Sequence, residues 1–214
     1  MASASRKRKS SEREPMPFGD DNRKPRILLA ACGCVVAVQF GHICKCFSEW
    51  GEVKAVATDD ALSFIDRATI PQDVVLYTDD DWNSWGPIAD GILHIQLRRW
   101  ADILVIAPVS ANTLAKIAGG LCDNLLTCIV RAWDYSKPIF VAPSMNFFLW
   151  KSPFTDNVLM SLEELGIVFI TPASRSTGNV GDRGNGTMVE PVGIYGTVRL
   201  SYESRLRSGG GSDG

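Results

Sequence analysis

Five short apolar runs, most of them continuous rather than alternating, constrain the fold of this 214-residue chain. They are Arg26-Ile27-Leu28-Leu29-Ala30-Ala31, Glu52-Val53-Lys54-Ala55-Val56-Ala57, the stretch 103–107, Pro138-Ile139-Phe140-Val141-Ala142-Pro143, and 167–170. A strand with one face in water alternates apolar and polar residues, whereas a strand covered on both faces need not. Between the runs lie helical patterns at 35–49, near 62–65, at 112–118, 122–132, 154–165 and 191–206. Such strands alternating with helices predict an α/β domain, a parallel sheet with helices on both faces.

The edges of that domain follow from composition. Residues 1–24 are rich in Ser, Arg, Lys and Glu and predict a disordered polar arm. Residues 207–214 are Gly and Ser-rich and predict a flexible tail, which leaves 25–206 as the folded domain. Hydrophobic content of 45% is enough for one full core. The net charge of −2 gives no basic field for nucleic acid. No apolar run approaches the ~20 residues that span a bilayer, and no signal-peptide core follows the basic start. The six cysteines require no disulfide framework, so a reducing, cytoplasmic setting is expected. Cys32-x-Cys34 and Cys44-x-Cys46 depart from zinc-ligand spacing, and no metal is expected. Arg6-Lys7-Arg8-Lys9 has the composition of a nuclear-import patch and equally that of a solvated tail.

Ligands of open parallel sheets sit at the carboxyl ends of the strands. Three loops there carry chemistry: 32–35, 107–113 and 142–147. Gly33, between a strand and a helix start, exposes backbone N–H groups suited to a phosphate, though turns also use glycine. Ser110 is a natural helix cap, and Asn112 and Thr113 exceed what capping needs. Met145 suits packing and Asn146 suits a polar ligand group. The glycine-dense stretch 178–188 reads as a mobile flap or as an ordinary surface loop. His94, one of only two histidines, lies in Ile92-Leu93-His94-Ile95-Gln96-Leu97-Arg98-Arg99-Trp100 just before the third strand run. It is either a base beside an anion site or a satisfied histidine at a helix or interface edge.

Together these residues resemble the flavin-dependent cysteine decarboxylases, in particular the plant-type phosphopantothenoylcysteine decarboxylases. The likeness runs from Arg23 to Glu203. It is dense at Leu93-His94-Ile95, Leu97–Asp102, Ser110-Ala111-Asn112-Thr113-Leu114, Ile117–Thr127 and Met145-Asn146. The resemblance implies a single-domain, Rossmann-like flavoprotein assembled as a homotrimer or trimer-based oligomer, with FMN and the active site at subunit interfaces. It implies that Gly33, Cys34 and Val35 flank the FMN phosphate, with Thr58, Asp59 and Asp60 approaching from the second strand end. Ser110, Ala111, Asn112, Thr113 and Ser144 would complete the cofactor site. His94 would be the catalytic base, Asn146 would hold the substrate carboxylate, and Arg99 and Val180 would face the substrate.

The implied reaction is a lyase step of coenzyme A biosynthesis on a small phosphorylated, cysteine-containing substrate. FMN oxidises the thiol of 4′-phosphopantothenoylcysteine, the thioaldehyde loses carbon dioxide, and the enethiol is reduced to 4′-phosphopantetheine. The chain departs from the family at several positions. Val180 replaces the flap cysteine, Cys32-Gly33-Cys34 replaces Ser-Gly-Ser, Asp59 and Asp60 replace a lysine and a small polar residue, Gln96 replaces Glu, and Ser144 replaces Ala. Val180 leaves two alternatives open: decarboxylation that stops at the enethiol, and a non-catalytic member that joins a mixed trimer with a sibling subunit or binds a protein phosphatase.

Overall fold

The computed structural model describes residues 23–84, 92–171 and 188–209. Six parallel strands form one sheet in the order β3-β2-β1-β4-β5-β6. They are β1 (Arg26–Ala31), β2 (Glu52–Ala57), β3 (Val75–Tyr77), β4 (Ile103–Val109), β5 (Ile139–Pro143) and β6 (Val168–Phe169). The central strands β1, β4 and β5 are buried almost throughout, the consequence of their apolar runs. β1 pairs with β2 from Arg26↔Glu52 to Ala31↔Ala57 and with β4 from Ile27↔Ile103 to Ala30↔Ile106.

Side chains of successive strand residues point to opposite faces and split the core in two. Ile27, Leu29, Val105 and Phe140 pack with Phe40, Ile43 and Phe47 of α1 (Phe40–Ser48) and with Ile194 and Val198 of α9 (Pro191–Gly209). Tyr195 and Tyr202 of α9 meet Trp50 edge-on at 6.2 and 5.7 Å, which fastens the terminal helix to the turn before β2. On the other face Leu28, Leu104, Ile106 and Val141 pack against helices α4 (Leu93–Trp100), α5 (Ala111–Ala118), α6 (Leu125–Arg131) and α8 (Pro153–Glu164).

Several elements differ from the sequence pattern. The helix expected at 35–49 begins as a tight 3₁₀ turn, Val35–Gln39, and becomes α1 only at Phe40. Its three valines are stiff at χ1 and poor in helices. The sequence pattern shows no strand at 75–77, yet β3 pairs there with β2. It is followed by α3 (Asp79–Asn83), whose Thr78 cap and Asp81 side chain satisfy each other's backbone N–H groups. The short helix expected near 62–65 lies earlier, as α2 (Asp59–Leu62). β6 is shorter than 167–170, and α9 runs to Gly209 rather than stopping at 206. Pro108 lies inside β4 and cannot donate to a ladder; the β4–β5 register shifts between Ile106 and Val109, around it.

Candidate functional site

The strand order reverses between β1 and β4: from β1 the chain winds outward to β2 and β3, and from β4 outward to β5 and β6. The loops leaving β1 and β4 therefore diverge and open a crevice at their carboxyl ends, the place where such sheets bind ligands. Three backbone hydrogen bonds draw the strand ends together. Cys32 N–H donates to Pro108 O at 3.0 Å, Thr58 N–H to Ala31 O at 3.1 Å, and Ser144 N–H to Val109 O at 3.0 Å. Pro108 O faces β1 and Val109 O faces β5, the alternation of an extended strand.

Gly33 lies against the first turn of α2, where any Cβ would overlap the Asp60 side chain and press on its backbone. The glycine is therefore required by close approach. Cys34 caps the 3₁₀ turn in an extended conformation. Its thiol meets the Ser144 hydroxyl and the Val36 and Ala37 N–H groups, while burial pushes its pKa up. Cys32 is fully enclosed beside Thr113 and the Ser110 backbone, and burial holds its thiol up to about 11. Both sulfurs are neutral thiols at pH 7. Val35 is exposed at this turn.

Ser110 caps α5, its hydroxyl accepting the Thr113 N–H at 3.2 Å and lying at the same distance from the Thr113 hydroxyl. Thr113 is buried, its hydroxyl beside that of the cap; Ala111 is half-buried and Asn112 is exposed and available to a ligand. Thr58 is buried at the end of β2. Asp59 and Asp60 follow it, exposed in the first turn of α2. Desolvation, then the charges of Asp79, Asp80 and Asp60, lift the Asp59 pKa above the ordinary carboxylate value.

His94 sits half-buried in the first turn of α4. Its Nδ1 is buried and has no hydrogen-bond partner among the described residues, and burial lowers its pKa. An imidazole left in this state is neutral and able to accept a proton. Asn146 caps the short helix α7 (Phe147–Trp150). Its Oδ1 accepts the Leu149 N–H at 3.0 Å, so its side-chain NH₂ is the part that can donate to a ligand.

Arg99 is not brought to these loops within one chain. It is exposed on α4 five residues beyond His94, roughly 7.5 Å further along the helix axis at 1.5 Å per residue. That end of α4 lies at the amino ends of the strands, where Asp102 N–H donates to Arg26 O at 2.8 Å. Val180 and positions 178–187 of the glycine-dense stretch lie outside the described residues, as does Arg6–Lys9.

The flavoprotein family model matches residues 16–200. A phosphopantothenoylcysteine decarboxylase, HAL3a, of Glycine max is 61% identical over 202 residues, 94% of this chain and 95% of the relative. The chain belongs to the flavoprotein family. The solved structure of a cysteine-to-serine mutant of PPC decarboxylase complexed with pantothenoylaminoethenethiol superposes with a TM-score of 0.79 at 62% identity, covering 85% of this chain and 100% of that one. The FMN binding protein AtHal3 superposes with a TM-score of 0.78 at 62% identity, covering 85% and 98%. The six-stranded parallel sheet with helices on both faces is the fold of these flavoproteins.

Two features of this flavoprotein were not visible as site components in the sequence. The Val36 and Ala37 N–H groups aimed at Cys34 belong to a turn that the apolar pattern reads as plain helix. Asp79, the first residue of α3, reaches the start of α6; the spacing Thr78-x-x-Asp81, a helix-start signal, marks where it lies. No helix among the described residues is long and apolar enough to cross a membrane.

Proposed function

We propose that this chain catalyses the FMN-dependent decarboxylation of 4′-phosphopantothenoylcysteine to 4′-phosphopantetheine, a carboxy-lyase step of coenzyme A biosynthesis. One structural observation carries the reading. The loops after β1, β2, β4 and β5 line the crevice opened at the strand-order reversal, beside a glycine that tolerates no Cβ. Near full-length identity to decarboxylases named for this reaction supplies the substrate.

The residues fit the cofactor. Gly33, Cys34 and Val35 would hold the phosphate end, with Ser110, Ala111, Asn112 and Thr113 beside it and Thr58, Asp59, Asp60 and Ser144 closing the crevice. FMN supplies the two-electron oxidising capacity that protein side chains lack. His94 Nδ1, buried and without a partner among the described residues, would take the proton released as the substrate carbon is oxidised. Asn146 would donate its side-chain NH₂ to the substrate carboxylate and fix that group's orientation.

A homotrimer belongs to the same proposal. Phe148 and Phe154, 77% and 81% exposed just beyond Asn146, are apolar side chains that a second subunit would cover. Arg99, turned away from its own chain's loops, would then serve from an interface. Cytoplasmic residence, with nuclear entry through Arg6–Lys9, is tested by imaging a fluorescent fusion with and without those four residues.

Val180 favours a second reading, in which the homo-oligomer releases carbon dioxide and stops at the enethiol or acts in a mixed trimer or on a protein phosphatase. The deciding experiment incubates purified protein with FMN and 4′-phosphopantothenoylcysteine and follows carbon dioxide and thiol product separately. Production of both supports the full reaction, carbon dioxide alone supports the shortened one, and neither, with FMN bound, removes the catalytic proposal.

A further inference from the structure

Cys122 and Cys128 bracket the start of α6, whose Leu125 N–H is held by Asp79. Cys122 precedes the Asn124 cap and is exposed, with its thiol 3.9 Å from Gly120 O. Cys128 lies in the first turn, is buried, and is in hydrogen-bond contact with the Cys122 thiol. Both are reduced.

The backbone between them is held tightly. Asn124 Oδ1 accepts the Thr127 N–H at 2.8 Å, and Thr127 Oγ1 accepts the Asp123 and Asn124 N–H groups at 3.1 Å each. Lys116 pairs with Asp123 at 2.5 Å. The two thiols are therefore held near one another by the cap itself, without needing a covalent bond between them. Gly120 adopts the left-handed conformation, φ 68°, and a Cβ there would overlap the Arg131 guanidinium. A cation and an exposed thiol thus flank one glycine. A cavity of about 330 Å³ opens beside them, lined by Gly119, Gly120, Leu121, Thr127, Arg131 and Tyr135 among others.

We propose that Cys122 and Cys128 form a thiol–disulfide exchange site whose co-reactant is a small disulfide bearing carboxylates. The Cys122 thiolate attacks one sulfur of that disulfide, whose S–S bond breaks, and one small thiol leaves with the electron pair and takes up a proton. The Cys128 thiolate then attacks the Cys122 sulfur and displaces the second small thiol. The protein loses two hydrogens as two thiols become one disulfide, and the small disulfide is reduced to two thiols. Arg131 and the cavity attract and seat the carboxylates. Burial, first of all, holds the Cys128 thiol up to about 11, and the Cys122 thiol and the Asp123 and Asp79 charges add to this. Once Cys122 is a mixed disulfide its own contribution disappears, which favours the second step.

The probe is oxidised glutathione applied to the native full-length chain, followed by alkylation under denaturing conditions and trypsin digestion. The peptide Ile117–Arg131 contains both cysteines and no internal Lys or Arg. The expected product is that peptide lighter by two hydrogens and closed to alkylation, returning to the doubly alkylated form after dithiothreitol. Cys128→Ser should trap glutathione on Cys122, and Cys122→Ser should leave Cys128 unmodified. Arg131→Ala should slow the reaction several-fold with glutathione disulfide but not with uncharged hydroxyethyl disulfide. A peptide that stays doubly alkylated overturns the proposal. So does a stable Cys122 mixed disulfide beside a free Cys128 in the unmodified chain, or an equal loss of rate with both disulfides in Arg131→Ala.

Discussion

Asp79 Oδ1 accepts the backbone N–H of Leu125 at 2.7 Å, joining the start of α3 to the start of α6 across 46 residues of chain. The carboxylate satisfies a helix N–H that has no partner within the helix, and it meets the positive end of that helix. Asp79→Ala should cost about 1.5–3 kcal/mol, the range for hydrogen bonds to charged groups. Asp79→Asn, which keeps an acceptor oxygen, should cost less. Urea unfolding of both variants measures this, and equal losses would remove the hydrogen bond as the cause.

Gly33→Ala places a methyl group against Asp60. Either α2 moves or the loop does, and both distort the crevice. Flavin affinity should fall at least tenfold, about 1.4 kcal/mol, while the sheet still forms. Titration of FMN fluorescence together with far-UV circular dichroism separates the two. Unchanged affinity would dissociate this loop from the cofactor.

Asp59 and Asp60 place negative charge at the same crevice, joined there by Asp79 and Asp80. Like charges weaken phosphate binding, and the Debye length is about 8 Å at physiological salt. Asp60→Asn should therefore tighten FMN binding several-fold in low salt, with the gain shrinking as salt rises. A salt-independent gain would point to packing against Gly33 instead.

His94→Asn should abolish carbon dioxide release while FMN stays bound. Burial disfavours the imidazolium, so the folded pKa lies below the ordinary 6.5. The basic form is present above that pKa and is lost as pH falls through it, so the rate should hold through neutrality and drop on the acid side. The unfolded chain binds this proton more readily, so below pH 6.5 the group opposes folding, and His94→Asn should reduce acid destabilisation. A rate limb centred above 6.5 would contradict the burial of His94.

Val180 stands where the resemblance places a cysteine, and a valine has no proton to give. A positioned acid contributes about 10²–10⁴-fold to a proton transfer. Val180→Cys should raise the yield of 4′-phosphopantetheine relative to the enethiol. If the unmodified protein already makes the saturated product as fast as the variant, another group donates that proton.

β1, β2, β4 and β5 were legible because burial on both faces demands apolar runs, and such runs stand out at 26–31 and 138–143. β3 was not legible. It has three residues, with Val75 53% exposed at the edge of the sheet, so nothing marks it off from a loop. The turn after β1 and the cap of α5 were readable from Gly33 and Ser110, since turn and capping chemistry are local. The burial of Thr113 against its own cap and the position of Arg99 at the far end of α4 were not legible, for a different reason. Whether a polar side chain bonds its own cap or a ligand, and which end of a helix meets the crevice, depend on how elements pack.

β1 comes first in the chain yet occupies the middle of the sheet, between a local neighbour and one contributed much later, at Ile103. No fragment ending before β5 can assemble the crevice, because Ser144 and Asn146 arrive only after it. Acquisition of flavin colour during synthesis or refolding should therefore be a late event. It would report completion of the whole sheet, and a ribosome-bound nascent chain should remain colourless until β5 has emerged.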